Sequence, residues 1–438
     1  MADYNDLTTI ADTLKLVYGV GITNQFVDEK TTYNQFPTSE RQPRGLGYEF
    51  SIRYARSQSV GAAKESALLP QPFAGKYDKG RINPRFIYGP IRMTGPAIEA
   101  ARGDIAAFVD GLADQVTDIY ESLVVDLNRQ CCSDGFGLLG TLSVASDALT
   151  TSATTWTVTC DNDTGMKNML EGMLVDFYDG TAIDQSSVAS RISSIDPSAK
   201  TMEMEFNNST YKATHPIVAA RSYTIATDAV PTGALIVRAG AREAAHATTD
   251  TPVEMTGLEG IYDDGTLLAT FENIVVATYP AWKANVLGNS SVNRELSIDL
   301  MLQALDVTRT RSGKTVQTIR MGLGQRRKYA LLLMPDVRFQ PAKLKGGYET
   351  LTFSGGDGSV EMVIDPALPT NKIFMEPNGV IKKYEMSPLG WGALDQQMTR
   401  REGYDEYDQI LRIYTNLGAE QRNCLCLIKD LVEPSLYT

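Results

Sequence analysis

The stretch from Gly103 to Arg129, GDIAAFVDGLADQVTDIYESLVVDLNR, is the clearest element of the sequence and decides how the rest is read. Asp104 is a good N-cap, because its short carboxylate can accept from the unpaired N–H groups of a first helical turn. Ile105, Phe108, Val109, Leu112, Val116, Ile119, Tyr120, Leu123, Val124 and Leu127 then share one face at the 3.6-residue period. The spacing predicts a helix over 104–129, roughly 40 Å long at the α-helical rise. Asp110, Asp114 and Asp118 occupy the opposite side at successive turns. Three carboxylates so placed repel mildly and do not converge on one point, so they read as a solvated face rather than a metal ladder.

Upstream, Tyr48, Phe50, Ile52 and Tyr54 alternate with Glu49, Ser51 and Arg53, the period of a half-buried strand. A second extended stretch, Phe86 to Met93, is expected to return antiparallel to it. The connection between them carries Pro70, Pro72, Gly75, Lys76, Lys79 and Gly80, and loops of such length inside a compact domain are uncommon and usually functional. From Arg41 to Arg92 there are ten basic residues against three acids, a net +7 in a chain of -12. A basic extended loop on an acidic protein is suited to reaching a neighbouring copy of itself. Arg41, Arg44, Arg53, Arg56, Lys64, Lys76, Lys79, Arg81 and Arg85 are therefore the candidate intersubunit contacts. The aromatic face of Tyr48 to Tyr54 is expected to supply much of the attraction to that neighbour, with the charges setting register. The first 45 residues read as an arm: Leu7, Ile10, Leu14 and Val17 fall at helical spacing, and the polar run to Pro43 is too poor in apolar residues to form a core.

Downstream, from about Thr150 to Ala245, the composition turns to Thr, Ser and Asp with short alternating runs. Trp156, Val158 and Cys160 alternate with threonines, and Met202, Met204 and Phe206 alternate with glutamates. Met173–Val175, Tyr223 with Ile225, and Leu235–Val237 add strands, and Asp196-Pro197-Ser198 signals a turn. The pattern predicts a small antiparallel barrel or sandwich, set in as an insertion. Beyond it a helix is expected over 292–308, and strands at Tyr329–Met334 and Val360–Ile364. Lys372–Glu376 and Val380–Tyr384 flank Pro377-Asn378-Gly379, a strong hairpin signal. Leu411–Tyr414 and Cys424–Ile428 read as paired strands.

The 438 residues suffice for two to four domains, and 43% hydrophobic content is ample for buried cores. The charge of -12 disfavours general nucleic-acid coating, which rests on cations neutralising phosphates. No basic n-region opens the chain, and no run of about 18 apolar residues would span a membrane. Five cysteines, Cys131, Cys132, Cys160, Cys424 and Cys426, match no zinc or redox spacing and read as small buried hydrophobes. His215 and His246 are too few for a histidine-rich metal site and stand beside no nucleophile motif. Ser312-Gly313-Lys314-Thr315 resembles the end of a phosphate loop, but Thr308 stands where the first glycine is needed. Gly322-x-Gly324 lacks the third glycine of a dinucleotide fingerprint. Asp161-x-Asp163-x-Gly165 begins like a calcium loop, with its glycine one position early. No catalytic constellation, cofactor site or metal site emerges, and the chain reads as a non-enzyme.

The order of elements is distinctive, and it resembles the major capsid proteins of tailed double-stranded DNA phages, the Hong Kong 97-type α+β fold. The resemblance makes 1–45 the N-terminal arm, 46–95 the extended β-loop, and 96–149 the spine helix and start of the peripheral domain. It makes 150–245 the β-rich insertion and 246–438 the axial domain with the return to the peripheral domain. Gly257-Leu258-Glu259-Gly260-Ile261 looks like the re-entry to the axial domain, Lys328 to Pro335 like an apolar strand ending in proline, and Trp391 to Ile428 like the final sheet strands.

That resemblance implies hexamers and pentamers tiling an icosahedral shell around double-stranded DNA in the virion, assembled in the host cytoplasm. It implies a portal, and leaves room for a decoration protein. A chain opening on Met1 directly in the arm leads us to expect a separate scaffolding protein rather than a cleaved N-terminal scaffold domain. An acidic inner wall would keep DNA from adhering as it is spooled in. One member of the family links a loop lysine to a neighbour's asparagine. Lys64, Lys76 and Lys79 are the loop candidates here and Asn371 or Asn378 the acceptors, against the plainer reading of lysines in surface ion pairs. A bacterial nanocompartment shell shares the fold, although the insertion and length favour a virus. A phage tail or adhesin-type binding protein would explain polar β-segments but not a long helix after a basic loop. A hydrolase or nucleotidase has only failed motifs behind it.

Overall fold

A computed structural model of the chain describes residues 31–43, 45–57, 59–65, 71–96, 111–143, 155–160, 166–178, 190–205, 233–242, 252–333, 352–354, 359–391, 399–400 and 402–432, and the structural statements below concern these. The long helix spans Gly111–Cys132, and its expected first turns lie outside the described residues. Leu123 and Leu127 are buried, and Ile119 packs beside them against the main core. The helix ends three residues later than its sequence pattern suggests, because Asn128, Arg129 and Gln130 are buried too.

Strand β1, Tyr48–Ala55, pairs antiparallel with β2, Lys76–Ile82, as a two-stranded ribbon in which Phe50 faces Gly80 and Arg53 faces Tyr77. The expected partner of β1, the stretch 86–93, instead belongs to β3, Arg85–Thr94, and pairs along its whole length with a C-terminal strand. The reason lies in the side chains. Ile91 and Met93 of β3 are buried on a face that needs a broad packing partner, whereas a projecting ribbon needs little apolar alternation and can hold lysines and glycine. Lys76, Lys79 and Gly80, read as connection, are therefore strand residues. The aromatic face of β1 is also corrected. Phe50 and Ile52 enter the chain's own main core, Tyr48 stacks on Tyr384 at 5.3 Å, and Tyr54 lies 4.6 Å from the Tyr279 ring. That face is spent within the chain and not on a neighbour.

Between the helix and its return, six strands form one antiparallel sheet. They are β4, Leu138–Thr141; β5, Thr155–Thr159; β6, Leu174–Tyr178; β7, Ser190–Asp196; β8, Thr201–Glu205; and β9, Leu235–Arg238. Their order is β4-β9-β6-β7-β8-β5. A bridge between Leu142 and Cys160, with the Ser143 N–H donating to the Thr159 carbonyl at 2.9 Å, joins the two ends and closes a barrel. Val175, Phe177, Ile192, Met202, Met204 and Ile236 fill it completely buried, as alternation requires. The expected strand at Tyr223 and Ile225 lies outside the described residues.

Two further sheets complete the body. The axial sheet has the order β12-β20-β16-β13-β15-β14: β12 is Asn285–Leu287, β13 Thr318–Met321, β14 Thr352–Ser354, β15 Ser359–Ile364, β16 Ile373–Glu376 and β20 Cys426–Ile428. The peripheral sheet joins β17, Ile381–Trp391, and β18, Thr399–Arg400, to one side of β19, Glu406–Ala419, with β3 on the other. The turn at Pro377-Asn378-Gly379 forms, but it is not a hairpin: β16 pairs with β13 and β20, whereas β17 crosses to β19. All four residues of β16 are buried, so it needs neighbours on both sides and cannot be an edge beside β17. For the same reason β19 and β20, expected to pair, lie in different sheets.

The run expected as a strand at 329–334 is the C-terminal half of a helix, Leu323–Leu333. None of its residues is β-branched, and the buried Gln325 and Tyr329 are one turn apart. The apolar strand that the resemblance places at Lys328–Pro335 is thus helical as far as Leu333. The preceding helix is Ile298–Ser312 rather than 292–308, because Ser297 caps it by accepting from the Leu300 N–H at 3.2 Å. Gly313, at φ 73°, ends it, which accounts for the glycine of the phosphate-loop lookalike.

Two predictions follow from this architecture. A Cβ on Gly257 would collide with the backbone carbonyls of Gln130 and Cys131, which no rotamer change can relieve. Gly257→Ala should therefore cost the unassembled subunit about 3 kcal/mol, read from its urea melt. We also propose the barrel as a self-sufficient unit: residues 138–242 made alone should unfold cooperatively by circular dichroism. The piece 150–245, which lacks β4, should not.

Candidate assembly surface

The β1–β2 ribbon projects its basic residues together. Lys79 and Arg53 share its outward face, with Tyr77 opposite Arg53 in register. Arg56, Lys64 and Lys76 are exposed further along. Val60, Phe73 and Tyr77 are exposed beside them, at 93%, 61% and 65%, so the ribbon and its tip offer apolar as well as cationic groups. The tip is knotted: Ser59 accepts from the Phe73 N–H at 2.6 Å, and the Ser57 and Ser59 hydroxyls donate to the Phe73 carbonyl.

The other candidates separate from this group. Arg41 donates to the Tyr48 hydroxyl at 3.1 Å, which donates in turn to Glu420 at 3.2 Å, so Arg41 braces the ribbon's root. Arg44 lies outside the described residues. Arg81 and Arg85 are half-buried, each with a buried Nε that has no hydrogen-bond partner, and burial lowers the pKa of Arg85. These two face the chain's own interior.

A second surface was not foreseen. One face of the peripheral sheet packs on the long helix, and the other is open. There Phe86, Tyr88, Ile410 and Met386 stand between 41% and 55% exposed. Phe86 meets the Tyr414 ring edge-on at 5.0 Å, and Tyr88 meets it at 5.9 Å. Glu402, Asp405, Glu406 and Asp408 crowd one end of this sheet, where Arg92 pairs with Asp408 at 2.7 Å. The sequence did carry a signal. Phe86-Ile87-Tyr88 is apolar at both parities, which marks a strand with two faces to cover.

The arm, from Thr31 onward, lies on its own chain. Thr31–Gln35 is one helical turn whose Thr32 and Tyr33 N–H groups donate to Asp365 and Asn128, each at 3.0 Å. Arg320 donates to Gln35 at 2.5 Å and stands 4.5 Å over the Phe36 ring. Pro37 and Ser39 then exchange backbone hydrogen bonds with Lys383, extending the edge of β17.

Of the proposed acceptors, Asn378 is exposed and accepts from the Thr318 hydroxyl at 2.6 Å, while Asn371 is half-buried. All five cysteines are buried thiols outside any disulfide. Asp118 is exposed on the helix, and Asp110, His215, His246 and the 161–165 segment lie outside the described residues. Among the described residues no cluster of His, Cys, Asp or Glu could hold a metal ion, and no helix is long and apolar enough to cross a membrane.

No protein-family model matches the chain, and no curated protein matches its sequence. Solved structures do match its shape. The cyanophage A-1(L) capsid asymmetric unit superposes with a TM-score of 0.57 at 12% identity, covering 97% of this chain and 99% of that one. The capsid of the native GTA particle gives 0.53 at 7% identity over 98% and 100% of the two chains, and that of the empty particle 0.51 at 9%. The chain has the Hong Kong 97-type capsid fold from end to end.

Proposed function

We propose that this chain is the structural subunit of an icosahedral viral capsid, self-assembling into hexamers and pentamers around double-stranded DNA, with no catalytic role. The observation that carries the proposal is the end-to-end match to solved capsid structures. A separate scaffolding protein and a portal are the partners this reading brings with it, with room for a decoration protein, and the virion is its place.

Physical chemistry suggests how copies meet. The segment Arg41 to Arg92 holds +7, leaving -19 on the rest of a chain of -12, and its exposed ribbon cations Arg53, Arg56, Lys64, Lys76 and Lys79 are free to meet an acidic neighbour. The apolar groups on the ribbon tip are exposed among the described residues, and the open aromatic face of the peripheral sheet, with its acidic end, is the complementary surface. A single exposed ion pair contributes only about 0.2–1 kcal/mol. A closed shell repeats the contact around every subunit, and small terms then multiply. Burial of Val60, Phe73 and Tyr77 supplies the attraction, and the charges select partner and register.

The protein should sediment as capsomers or shells under some condition of scaffold and salt, and a species monomeric under all of them would sink the capsid reading. Arg53→Glu with Arg56→Glu should leave the melt of the unassembled subunit unchanged and reduce particle yield, more at low salt than at high. Normal shells from the double variant would show that the two arginines are ordinary solvated charge.

A further inference from the structure

The ribbon is joined to the body at a small knot that no feature of shell assembly explains. Strands β10, Thr270–Phe271, and β11, Ile274–Val275, form a minimal hairpin whose two turn residues, Glu272 and Asn273, both take positive φ, 48° and 64°. This turn makes Glu272 a junction of three elements. Its backbone carbonyl accepts from the Arg81 N–H of β2 at 2.7 Å. Its Oε1 accepts from the Ala419 N–H at the end of β19 at 2.9 Å. Its Oε2 is buried with no hydrogen-bond partner. The fit is tight: a Cβ on Gly418 would stand 2.9 Å from Oε1 and 2.5 Å from the Ile82 side chain of β2.

We infer that Glu272 is a proton-gated latch for the basic ribbon: neutral, it holds the ribbon's root against the body, and ionised, it lets that root open. A neutral carboxyl carries its hydrogen on one oxygen and leaves a single good acceptor for Ala419, which matches one bonded and one orphaned oxygen. An ionised carboxylate in the same enclosure would hold two charged oxygens with one donor between them.

The groups that face it reinforce the point. Arg422, from the connection after β19, is completely buried, and its Nε and Nη2 are committed elsewhere, while Nη1 has no hydrogen-bond partner among the described residues. It donates to the carbonyls of Ile261 at 2.8 Å, of Gly260 and of Asp263, and it lies 4.2 Å and 4.9 Å over the Phe271 and Trp282 rings. Glu420, from the same connection, adds negative charge and accepts from the Tyr48 and Tyr384 hydroxyls of β1 and β17. From β2, Arg81 offers its backbone N–H, while its Nε is buried without a bond. Burial lowers the pKa of Arg422 to about 10, against the pull of Glu272 first and of Asp263 and Asp264 after it. Burial dominates and pushes Glu272 from 4.5 up to about 8, against the pull of the Ala419 N–H and Arg422 and with help from Glu420.

The direction follows by linkage. The closed root holds a proton that an opened, hydrated Glu272 releases above about 4.5, so the closed state loses stability as pH rises to about 8 and changes no further beyond it. The proton goes to solvent. Amide hydrogen exchange on the unassembled subunit tests this without any shell, so the outcome is independent of the capsid reading. Protection of the Arg81 and Ala419 amides, corrected for the chemical exchange rate, should fall between about pH 6 and about pH 8 by up to about tenfold per unit. Glu272→Gln keeps the Oε1 acceptor without a charge, and should stay protected with a flat profile. Protection in the wild-type subunit that does not change with pH would overturn the latch, whether or not the variant folds. An unchanged slope in a folded Glu272→Gln would overturn it equally.

Discussion

Everything else in the molecule hangs on the last turn of the long helix, where three consecutive polar side chains are buried. Asn128 donates to Asp365 at 3.1 Å and accepts from the arm at Tyr33. Arg129 bridges Asp126 at 2.9 Å and Glu254 at 2.6 Å. Gln130 donates to Asp126 at 2.7 Å and accepts from the Met255 N–H at 3.0 Å. Arm, barrel and axial sheet are thereby tied to one point, since Asp126 also pairs with Arg238 at the barrel's exit. Burial would raise the pKa of Asp126, but Arg129 and Arg238 outweigh it and hold the carboxylate below its usual range. Glu254 is pushed the other way, by burial first, even with Arg129 beside it. Such a cluster adds little net stability over an apolar one, yet losing one member leaves a buried charge at a cost of about 3–5 kcal/mol. Its value lies in specifying how arm, barrel and axial sheet meet.

The constraint continues a few residues on. Asp134 accepts from the Phe136 N–H where the chain turns toward the barrel, and burial with Glu259 nearby raises its pKa to about 6. Arg242 leaves the barrel between the Phe136 and Tyr178 rings, 4.5 Å and 4.3 Å from their centres. Entry to and exit from the barrel are therefore braced by side chains just beyond those that close the helix.

What was legible in the sequence was what local periodicity specifies. The long helix, β1, and the barrel strands around Val158, Val175, Met202 and Ile236 all follow from one alternating or helical face. What was illegible was destination. Pro377-Asn378-Gly379 announces a turn, but nothing local says that β16 and β17 enter different sheets. Strand β2 escaped because a ribbon exposed on one face tolerates lysines and glycine, and Leu323–Leu333 because an apolar run has no period of its own. The basic half of the candidate surface could be read from charge alone, whereas Arg81 and Arg85 turn inward for reasons of packing. The polar hub was hidden too, since Asn128 meets Asp365 across 237 positions and looks, in sequence, like the hydrophilic end of any helix.

The barrel's two terminal strands, β4 and β9, are hydrogen-bonded neighbours, so the chain enters and leaves it side by side. An appendage attached at one spot resembles a plug in a socket. It can be enlarged, exchanged or trimmed to a short turn without altering the path of the chain through either sheet or the long helix. The two sheets with the long helix on one side, and the barrel on the other, are thus free to change at different rates, and a foreign domain with adjacent ends has a ready place of insertion.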